Sequence, residues 1–319
     1  MVKRHKNELV VYYFLPAKTR TYVPDRLIES HMNHIEILKR VTPKGLHSHL
    51  GGVRRWFRTL PVRTQRQKRV LLQGPSFAAN ERELLRQVET RISAGDGMYT
   101  GDGAHYFGVG LSAIRSIDQA IDAAGLGEVK RILDLPCGHG RVLRFLVHRF
   151  PQAEITASDL DRKGVDFCAR IFGAKAAYSN PKLEDFYLEG QFDLIWCGSL
   201  ITHLDEAGIR ALLGFFARHL RTGGMLILTA HGDRVIQRMR EGEFEYGIPP
   251  HSIEPIIEAY RQWGFGFTDY PGQSGYGVSL TSHDWVYRTT AEIDLEEVYF
   301  QAHGWDDHQD VYGFMLKKG

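Results

Sequence analysis

The residues best suited to chemistry surround a short turn with two glycines. The stretch LDLPCGHGRVLRF (133–145) reads as a buried strand that runs into a turn and then into a helix, and Asp134 lies near the end of that strand. Gly138 and Gly140 let the backbone turn tightly and approach a ligand, and amides at the start of the following helix can receive polar groups. Asp159, about 20 residues beyond the turn, is placed to accept hydrogen bonds from both ribose hydroxyls. The pattern indicates a nucleotide-like ligand.

The turn departs from the fingerprint of dinucleotide-binding proteins. That fingerprint, G-x-G-x-x-G or -A, needs a small residue where Leu143 stands, and it usually has an earlier glycine where Pro136 stands. NAD is therefore the weaker interpretation. Two simpler explanations also stay open, because a glycine pair can serve close packing alone and Asp159 could cap the next helix.

The elements that position these residues follow from the alternation of helical and strand patterns beyond Gly110. The apolar strands show no polar alternation, which is typical of a parallel sheet covered by helices on both faces, so we predict a doubly wound α/β architecture. Ligands of such sheets bind beyond the carboxyl ends of the strands. The predicted elements are a helix from 110 that stops at 125–127, a strand 131–135, a helix 140–149, a strand 154–158, a helix 163–172, a short strand near 176, a strand 192–197, a helix around 209–220, a strand 225–230, and two final strands within 295–305 and 310–318.

Four motifs, taken in order, resemble those of class I, Rossmann-like, S-adenosylmethionine-dependent methyltransferases. They are the turn at 134–140, the acid Asp159, FDLIWCGSLITHL (192–204) and LRTGGMLILTAHG (220–232), and the resemblance covers about residues 105–319. Their order makes the resemblance specific, whereas each motif alone would be weak. The resemblance implies a mostly parallel seven-stranded sheet with an antiparallel C-terminal hairpin, and S-adenosylmethionine as the cofactor.

The resemblance also implies a role for each matching position. Asp134 and the two glycines would surround the methionine part of the cofactor, Asp159 would hold the ribose, and residues 179–185 would flank the adenine. HYFGVG (105–110) precedes the first predicted helix, as cofactor-covering segments do in the family, and Tyr106 would be its lid residue. Pro136 replaces the commoner glycine of the family. The full set of predicted cofactor-binding residues is Tyr106, Asp134, Pro136, Gly138, Gly140, Asp159, Leu160, Ser179, Asn180, Asp185, Cys197 and Ser199.

Catalysis of methyl transfer requires mainly alignment, because a sulfonium is already an activated donor, but a hydroxyl acceptor must also lose its proton. His203 and His231 follow the strands that end near 197 and 230, and His308 lies in the turn of the predicted hairpin. Imidazole is suited to act as a base near neutral pH. We predict His231 as the base, with His203 and His308 as the alternatives; each could instead be a hydrogen-bonded loop histidine.

The sequence gives less support for metal-dependent or thiol-dependent catalysis than for methyl transfer. The metal-ligand clusters match no trusted spacing, so no metal is predicted. The three cysteines form no C-x-x-C pair and are expected to be small core residues in a reducing compartment. The clusters considered are His303, Asp306, Asp307 and His308, and, near the N-terminus, His31, His34, His47 and His49.

Charge divides the chain into two parts. The net charge is only +2, but residues 1–70 carry 16 Lys+Arg against 4 Asp+Glu, and the remaining residues carry 24 against 34. With a glycine-rich break at 95–103, this predicts a basic, partly helical N-terminal extension (1–95) and a methyltransferase domain (96–319).

Two further segments could contact partners. Within the N-terminal extension, the apolar residues of 53–60 share one face of a short basic helix that Pro61 would end. Residues 53–69 could then contact an anionic membrane surface or an acidic protein, or pack on the main domain. An insertion at about 246–282 could place an aromatic wall over the acceptor through Tyr260, Trp263, Phe265, Phe267, Tyr270 and Tyr276.

The expected function is methyl transfer to an oxygen of a small molecule or glycan, such as a cell-envelope saccharide. The runner-up is an RNA methyltransferase that uses the basic arm, although WCGS (196–199) lacks the segment that holds a base amine and no RNA-binding module is evident, so nucleic acid is the less favoured partner. A third alternative is a non-catalytic cofactor-binding scaffold. The apolar run 9–15 is far below the roughly 20 residues that cross a bilayer, so we expect a cytoplasmic protein, peripheral to the inner face of the membrane if the basic helix binds lipid.

Overall fold

The computed structural model describes residues 61–73, 77–244 and 246–317. The apolar face predicted at 53–60 lies outside these residues. The helices are α1 Pro61–Leu72, α2 Ala79–Gln87, α3 Gly103–Ala124, α4 Leu143–Arg149, α5 Arg162–Phe172, α6 Glu206–His219, α7 Asp233–Glu241, α8 Ile253–Trp263 and α9 His283–Ala291. The strands are β1 Arg131–Asp134, β2 Glu154–Asp159, β3 Lys175–Tyr178, β4 Phe192–Cys197, β5 Leu220–Ala230, β6 Phe265–Asp269, β7 Gly277–Thr281, β8 Leu295–Trp305 and β9 Gln309–Leu316.

Seven strands form one sheet in the order β3-β2-β1-β4-β5-β9-β8. β1 to β5 pair in parallel, whereas β9 runs antiparallel to both β5 and β8. All six residues of β4 are buried, which explains why all of them except Asp193 are apolar, because helices cover both faces of the sheet. The predicted α/β fold with an antiparallel C-terminal hairpin is confirmed. The strand order reverses between β1 and β4. Open α/β sheets bind their ligands at such a point, in a crevice beyond the carboxyl ends of the strands.

The first long helix begins earlier than the sequence pattern indicates. α3 starts at Gly103, where the Asp102 carboxylate accepts hydrogen bonds from the amides of Ala104 and His105. The segment 105–110 is therefore helical, which corrects the prediction that it precedes the helix. Its glycines obscured the pattern, although Gly110 has a packing role, because a Cβ there would lie 2.4 Å from the Phe145 ring.

Residues 61–95 pack against the rest of the protein. α1 spans Pro61–Leu72, and proline suits a first turn because its missing amide would have no partner. The predicted end of a preceding helix at this proline falls on residues outside the described part of the chain and stays a prediction. Gln67 Nε2 donates to the carbonyl of Gly101 at 2.8 Å, and Arg115 Nη2, on α3, donates to Glu81 Oε2 at 3.1 Å. The domain boundary at 95 stays a prediction. None of the helices that the structure describes is both long and apolar enough to span a bilayer.

The predicted insertion contains α8 and a separate antiparallel pair, β6 and β7. Two of its aromatic residues, Tyr270 and Tyr276, contact His203. Others lie elsewhere: the Trp263 side chain is exposed, and the Phe265 ring stacks on Trp285. The insertion therefore brings part of its aromatic set to the carboxyl edge of the sheet, and its role as an acceptor wall stays a prediction.

Candidate functional site

The most unusual charge in the turn region is the Asp134 carboxylate at the end of β1. The residue is 1% exposed, and neither oxygen has a hydrogen-bond partner within 61–73, 77–244 and 246–317. Burial raises the pKa of Asp134 well above its ordinary value, and the nearby Asp159 adds to this effect. Buried charges are normally paired, so this carboxylate fits a ligand that brings an ammonium or another cationic group.

The two glycines of the turn have different roles. Gly138 has a φ of 50°, and a Cβ built there would meet no described atom within 4 Å, so its backbone is open to a ligand. Gly140 has a φ of 77°, and a Cβ there would lie 2.5 Å from the Phe172 ring and 3.1 Å from Cys168 Sγ. The first glycine therefore faces the crevice, and the second allows close packing.

The Asp159 carboxylate is held by backbone amides on both oxygens. Gly138 N donates to Oδ2 at 2.8 Å, and Asp161 N donates to Oδ1 at 2.9 Å. Each carboxylate oxygen keeps a second lone pair that could accept a ribose hydroxyl. Burial raises the pKa of Asp159, and the two amides oppose this shift. The Asp161 side chain in turn lies 3.0 Å from His139 Nε2, and the sequence analysis identified neither His139 nor Asp161.

The remaining residues predicted near the ribose and adenine are only partly brought together. Leu160 follows Asp159 directly and is exposed, and Ser179 donates its amide to the Asp159 carbonyl. The Asn180 side chain accepts the amide of Lys182. Asp185 is exposed and lines a groove with all of β3 and the first residue of β4, and its role at the adenine stays a prediction. Pro136 follows a cis peptide bond.

A fully buried arginine connects the turn to the segment before α3. Arg144 Nε donates to the Gly140 carbonyl at 2.9 Å, and Nη1 donates to the Glu89 carbonyl at 2.8 Å. Its Nη2 donates to the Tyr106 hydroxyl, which donates to Asp96 Oδ2 at 2.6 Å. Tyr106 is therefore a core residue, 1% exposed, and a lid role for it stays a prediction.

The ends of β4 and β5 are joined by a polar network. Ser199 adopts a left-handed backbone conformation with a φ of 62°, which is costly for a non-glycine residue and is often found at functional sites. Its amide donates to Thr229 Oγ1 at 2.8 Å, and Gln309 Nε2 donates to its hydroxyl at 2.9 Å. Cys197, at the end of β4, is completely buried, and burial raises the pKa of its thiol.

The structure brings the three predicted histidines together. The rings of His231 and His308 are 5.6 Å apart, and His203 is close enough to affect the protonation of His231. His231 is 4% exposed; the Ser279 backbone hydrogen-bonds its ring, but Nδ1 finds no partner in the described part of the chain. We therefore assign the proton to Nε2 and the free lone pair to Nδ1. Burial lowers the pKa of His231 well below its ordinary value, helped by His308 and His203.

The other two histidines have engaged Nδ1 atoms. His203 Nδ1 lies 3.1 Å from the Gly277 carbonyl, and burial lowers the pKa of this ring. His203 also stacks on Tyr276, whose pKa is raised to about 12 by burial and, secondarily, by Asp159. His308 Nδ1 accepts a hydrogen bond from Arg238 Nη1 at 2.8 Å, and burial together with Arg238 lowers the pKa of His308 to about 4.

Among the described residues, no three His, Cys, Asp or Glu side chains are arranged to hold a metal ion. The cluster His31, His34, His47 and His49 lies outside those residues.

The fold and the turn are those expected of a methyltransferase domain. Residues 132–224 match the family model of the methyltransferase domain. The chain is 28% identical over 110 residues to a malonyl-[acyl-carrier protein] O-methyltransferase of Bacillus cytotoxicus, a match that covers 34% of this chain and 38% of the relative. It is 27% identical over 161 residues to a trans-aconitate 2-methyltransferase of an Enterobacter species, covering 49% and 62%. The chain thus spans less than two thirds of the length of either relative.

Solved structures with a similar fold include two methyltransferases. One is an S-adenosylmethionine-dependent methyltransferase from Clostridium acetobutylicum, with 14% identity and a TM-score of 0.45, covering 65% of this chain and 92% of that one. The other is an amino pentose methyltransferase from Micromonospora echinaspora bound to S-adenosylmethionine, with 17% identity, the same TM-score of 0.45 and coverage of 65% and 92%. The match to the family model confirms a methyltransferase domain over residues 132–224, as the sequence predicts, and S-adenosylmethionine as its cofactor stays a prediction.

Proposed function

We propose that the protein transfers a methyl group from S-adenosylmethionine to an oxygen of a small molecule. The observation that carries the proposal is the state of His231, a buried imidazole whose Nδ1 lone pair is unused by any described residue. His231 directly follows β5, at the edge of the sheet where folds of this kind bind their ligands. Such a group can take a proton from a bound hydroxyl.

On the cofactor side, each proposed contact follows from a residue already described. Asp134 would receive the cationic methionine end, the open backbone at Gly138 would accept close approach, and Asp159 would accept the ribose hydroxyls. Bound S-adenosylmethionine supplies a methyl group on a sulfonium, and S-adenosylhomocysteine leaves with the electron pair of the broken bond. The role of the protein is then to hold the acceptor oxygen in line with the methyl group.

On the acceptor side, His231 Nδ1 would receive the hydroxyl proton as the new C–O bond forms. Because the pKa of His231 lies below its ordinary value, the ring is neutral at pH 7 and its lone pair is available. His308 is less suited to this role, since Arg238 occupies its Nδ1 and its Nε2 must then carry a proton. His203 is the second candidate, because the Gly277 carbonyl holds Nδ1–H and leaves Nε2 as an acceptor.

The named relatives support the kind of acceptor. One is named for O-methylation of a malonyl group on acyl-carrier protein, and the other for methylation of trans-aconitate, a small molecule. A saccharide is a second acceptor within the proposal, because Tyr270 and Tyr276 beside His203 offer aromatic faces that suit sugar rings.

The proposal is tested by incubating the protein with methyl-labelled S-adenosylmethionine and a fractionated bacterial extract. Label in a small-molecule fraction, lost in His231→Ala but retained in His251→Ala, a variant of an exposed histidine, is the expected result. Label in RNA would favour the alternative of a nucleic-acid acceptor. Cofactor binding without any transfer would favour a non-catalytic scaffold.

A further inference from the structure

A second group of polar side chains lies directly beside His231. The Tyr246 ring is 5.6 Å from the His231 ring and stacks on His308 at 5.9 Å with an interplanar angle of 8°. Arg238, on α7, donates from Nη1 to His308 Nδ1 at 2.8 Å, and its guanidinium lies over the Phe244 ring. Arg238, His308 and Tyr246 are called the Arg238 cluster below.

The Arg238 cluster contains polar atoms that lack hydrogen-bond partners. Arg238 Nε and the Tyr246 hydroxyl are both buried, and neither has a partner in the part of the chain that the structure describes. More than about 90% of buried polar groups in proteins are paired, so two such groups beside His231 Nδ1 indicate a place for a ligand. Tyr246 also has a φ of 44°, a costly backbone conformation for a tyrosine.

The groups of the cluster act mainly as donors. Arg238 Nε–H and the Tyr246 O–H can donate, and so can His308 Nε2–H, because Nδ1 of that ring accepts from Arg238. His231 Nδ1, by contrast, can only accept in the tautomer assigned above. A complementary ligand therefore has a hydroxyl that faces His231 and acceptor oxygens that face the cluster.

The acidic neighbours of Arg238 bind it only loosely. Glu243 Oε2 lies 3.4 Å from Nε without forming a hydrogen bond, and Asp307 Oδ2 lies 3.5 Å from Nη2. These two side chains are 47% and 68% exposed, whereas the Arg238 side chain is 14% exposed. Asp307 is also engaged by Arg234 at 2.9 Å. Because solvated ion pairs contribute little, an anion that enters the buried side of the guanidinium can compete with them.

We infer that the acceptor carries an anionic group, a carboxylate or phosphate, beside the hydroxyl that is methylated, and that Arg238 binds this group together with His308 and Tyr246. The inference rests on the proposed function and names its substrate class. The planar guanidinium matches paired anionic oxygens, and this contact sets the distance between the anion and the hydroxyl at His231. The hydroxyl oxygen bonds the methyl carbon, and His231 Nδ1 receives the proton, so the product is an ether that keeps the anion.

The test repeats the label transfer from S-adenosylmethionine with a fractionated small-molecule extract and separates the products by anion exchange at neutral pH. The labelled product of the wild-type protein should be retained as an anion and should resist mild base, and its mass distinguishes a carboxylate from a phosphate. Arg238→Met should lower transfer at limiting acceptor by about 10- to 100-fold, the usual effect of losing a hydrogen bond to a charged group. Excess acceptor should restore the rate.

Two further variants separate anion binding from folding. Arg240→Met removes an arginine of the same helix that pairs with Glu254, and it should behave like the wild type. Arg238→Lys keeps the charge and should retain part of the activity even if Arg238→Met folds poorly. Melting temperature and affinity for S-adenosylhomocysteine serve as the check on folding.

Four results would overturn the inference. A neutral or cationic product, or full activity of Arg238→Met at limiting acceptor, leaves the proposed function standing but rejects the anionic acceptor. Base-labile label shows that the anionic group is itself methylated. Absence of label in every fraction, with cofactor bound, rejects the proposed function and the inference together.

Discussion

His139 Nε2 lies 3.0 Å from Asp161 Oδ2, and Asp161 donates its own amide to the carboxylate of Asp159. His139 belongs to the glycine turn, whereas Asp161 caps α5, so the contact joins the two loops that surround the proposed ribose site. The contact steadies the loop whose amide, that of Asp161, binds one carboxylate oxygen of Asp159, while the amide of Gly138 binds the other oxygen.

Replacement of His139 should therefore weaken cofactor binding. We expect His139→Ala to reduce the affinity for S-adenosylhomocysteine by about 3- to 10-fold, the range for one hydrogen bond. Titration calorimetry measures this, with His251→Ala as the control. An unchanged affinity would show that Asp159 is held well enough by the two amides.

Asp134 should show opposite effects on stability and on binding. Its raised pKa means that the unbound protein holds a costly buried charge once the pH rises through that pKa. Asp134→Asn removes this cost, so the melting temperature without ligand should rise. The increase produced by S-adenosylmethionine should fall, because the cationic end of the cofactor loses its partner. Thermal melts with and without cofactor measure both effects, and a lower melting temperature without ligand would contradict this reading.

The lowered pKa of His231 predicts an unusual pH dependence of the methyl-transfer rate. A base is active above its pKa, and the pKa of His231 lies well below its ordinary value of 6.5. The methyl-transfer rate at saturating acceptor should therefore stay constant as the pH falls through 6.5 and should decline only in more acidic solution. His231→Ala should lower the rate by about 100-fold or more without changing cofactor affinity. A rate that halves near pH 6.5 would assign the base to another group.

The lowered pKa of His308 predicts that the folded protein loses stability in acid. The pKa of this histidine is about 4 in the folded protein against an ordinary value of 6.5, so the unfolded chain binds the proton more readily between these values. The free energy of unfolding should decrease as the pH falls from 6.5 to about 4. In urea denaturation at both pH values, His308→Gln should show a smaller decrease than the wild type. An equal decrease in both proteins would exclude His308 as the source.

Arg144 should contribute strongly to stability. Arg144→Met removes a side-chain donor from one buried and two partly buried carbonyls, and we expect a loss of about 3 kcal/mol or more in the free energy of unfolding. Arg149→Met, on the same helix, removes only a partly exposed pair with Asp118 and should cost less than about 1 kcal/mol. Urea denaturation compares the two variants. If both variants lose the same small amount of free energy of unfolding, water molecules replace the hydrogen bonds of the Arg144 side chain.

The parts of the fold that the sequence predicted depend on local patterns. The apolar run of β4 and the glycine turn can each be recognised within a few residues, and both strands of the C-terminal hairpin have such patterns. Arg144 and Arg238 could not be recognised in this way. Arg144 bonds a carbonyl 55 positions away, and Arg238 bonds a histidine 70 positions away, so their roles exist only after the chain has folded.

The pair formed by β6 and β7 shares no strand pairing with the seven-stranded sheet among the described strands. Its links to the β4 and β5 ends are a few hydrogen bonds, such as Ser279 Oγ to the Ile201 carbonyl and Thr281 N to the His231 carbonyl. Substitutions in the turn between 270 and 276 can therefore reshape the surroundings of His203 while the cofactor half keeps its hydrogen bonds. In the proposed function, acceptor preference can therefore change through this one turn of the chain while the hydrogen bonds of Asp159 stay the same, so related proteins with the same sheet could act on different substrates.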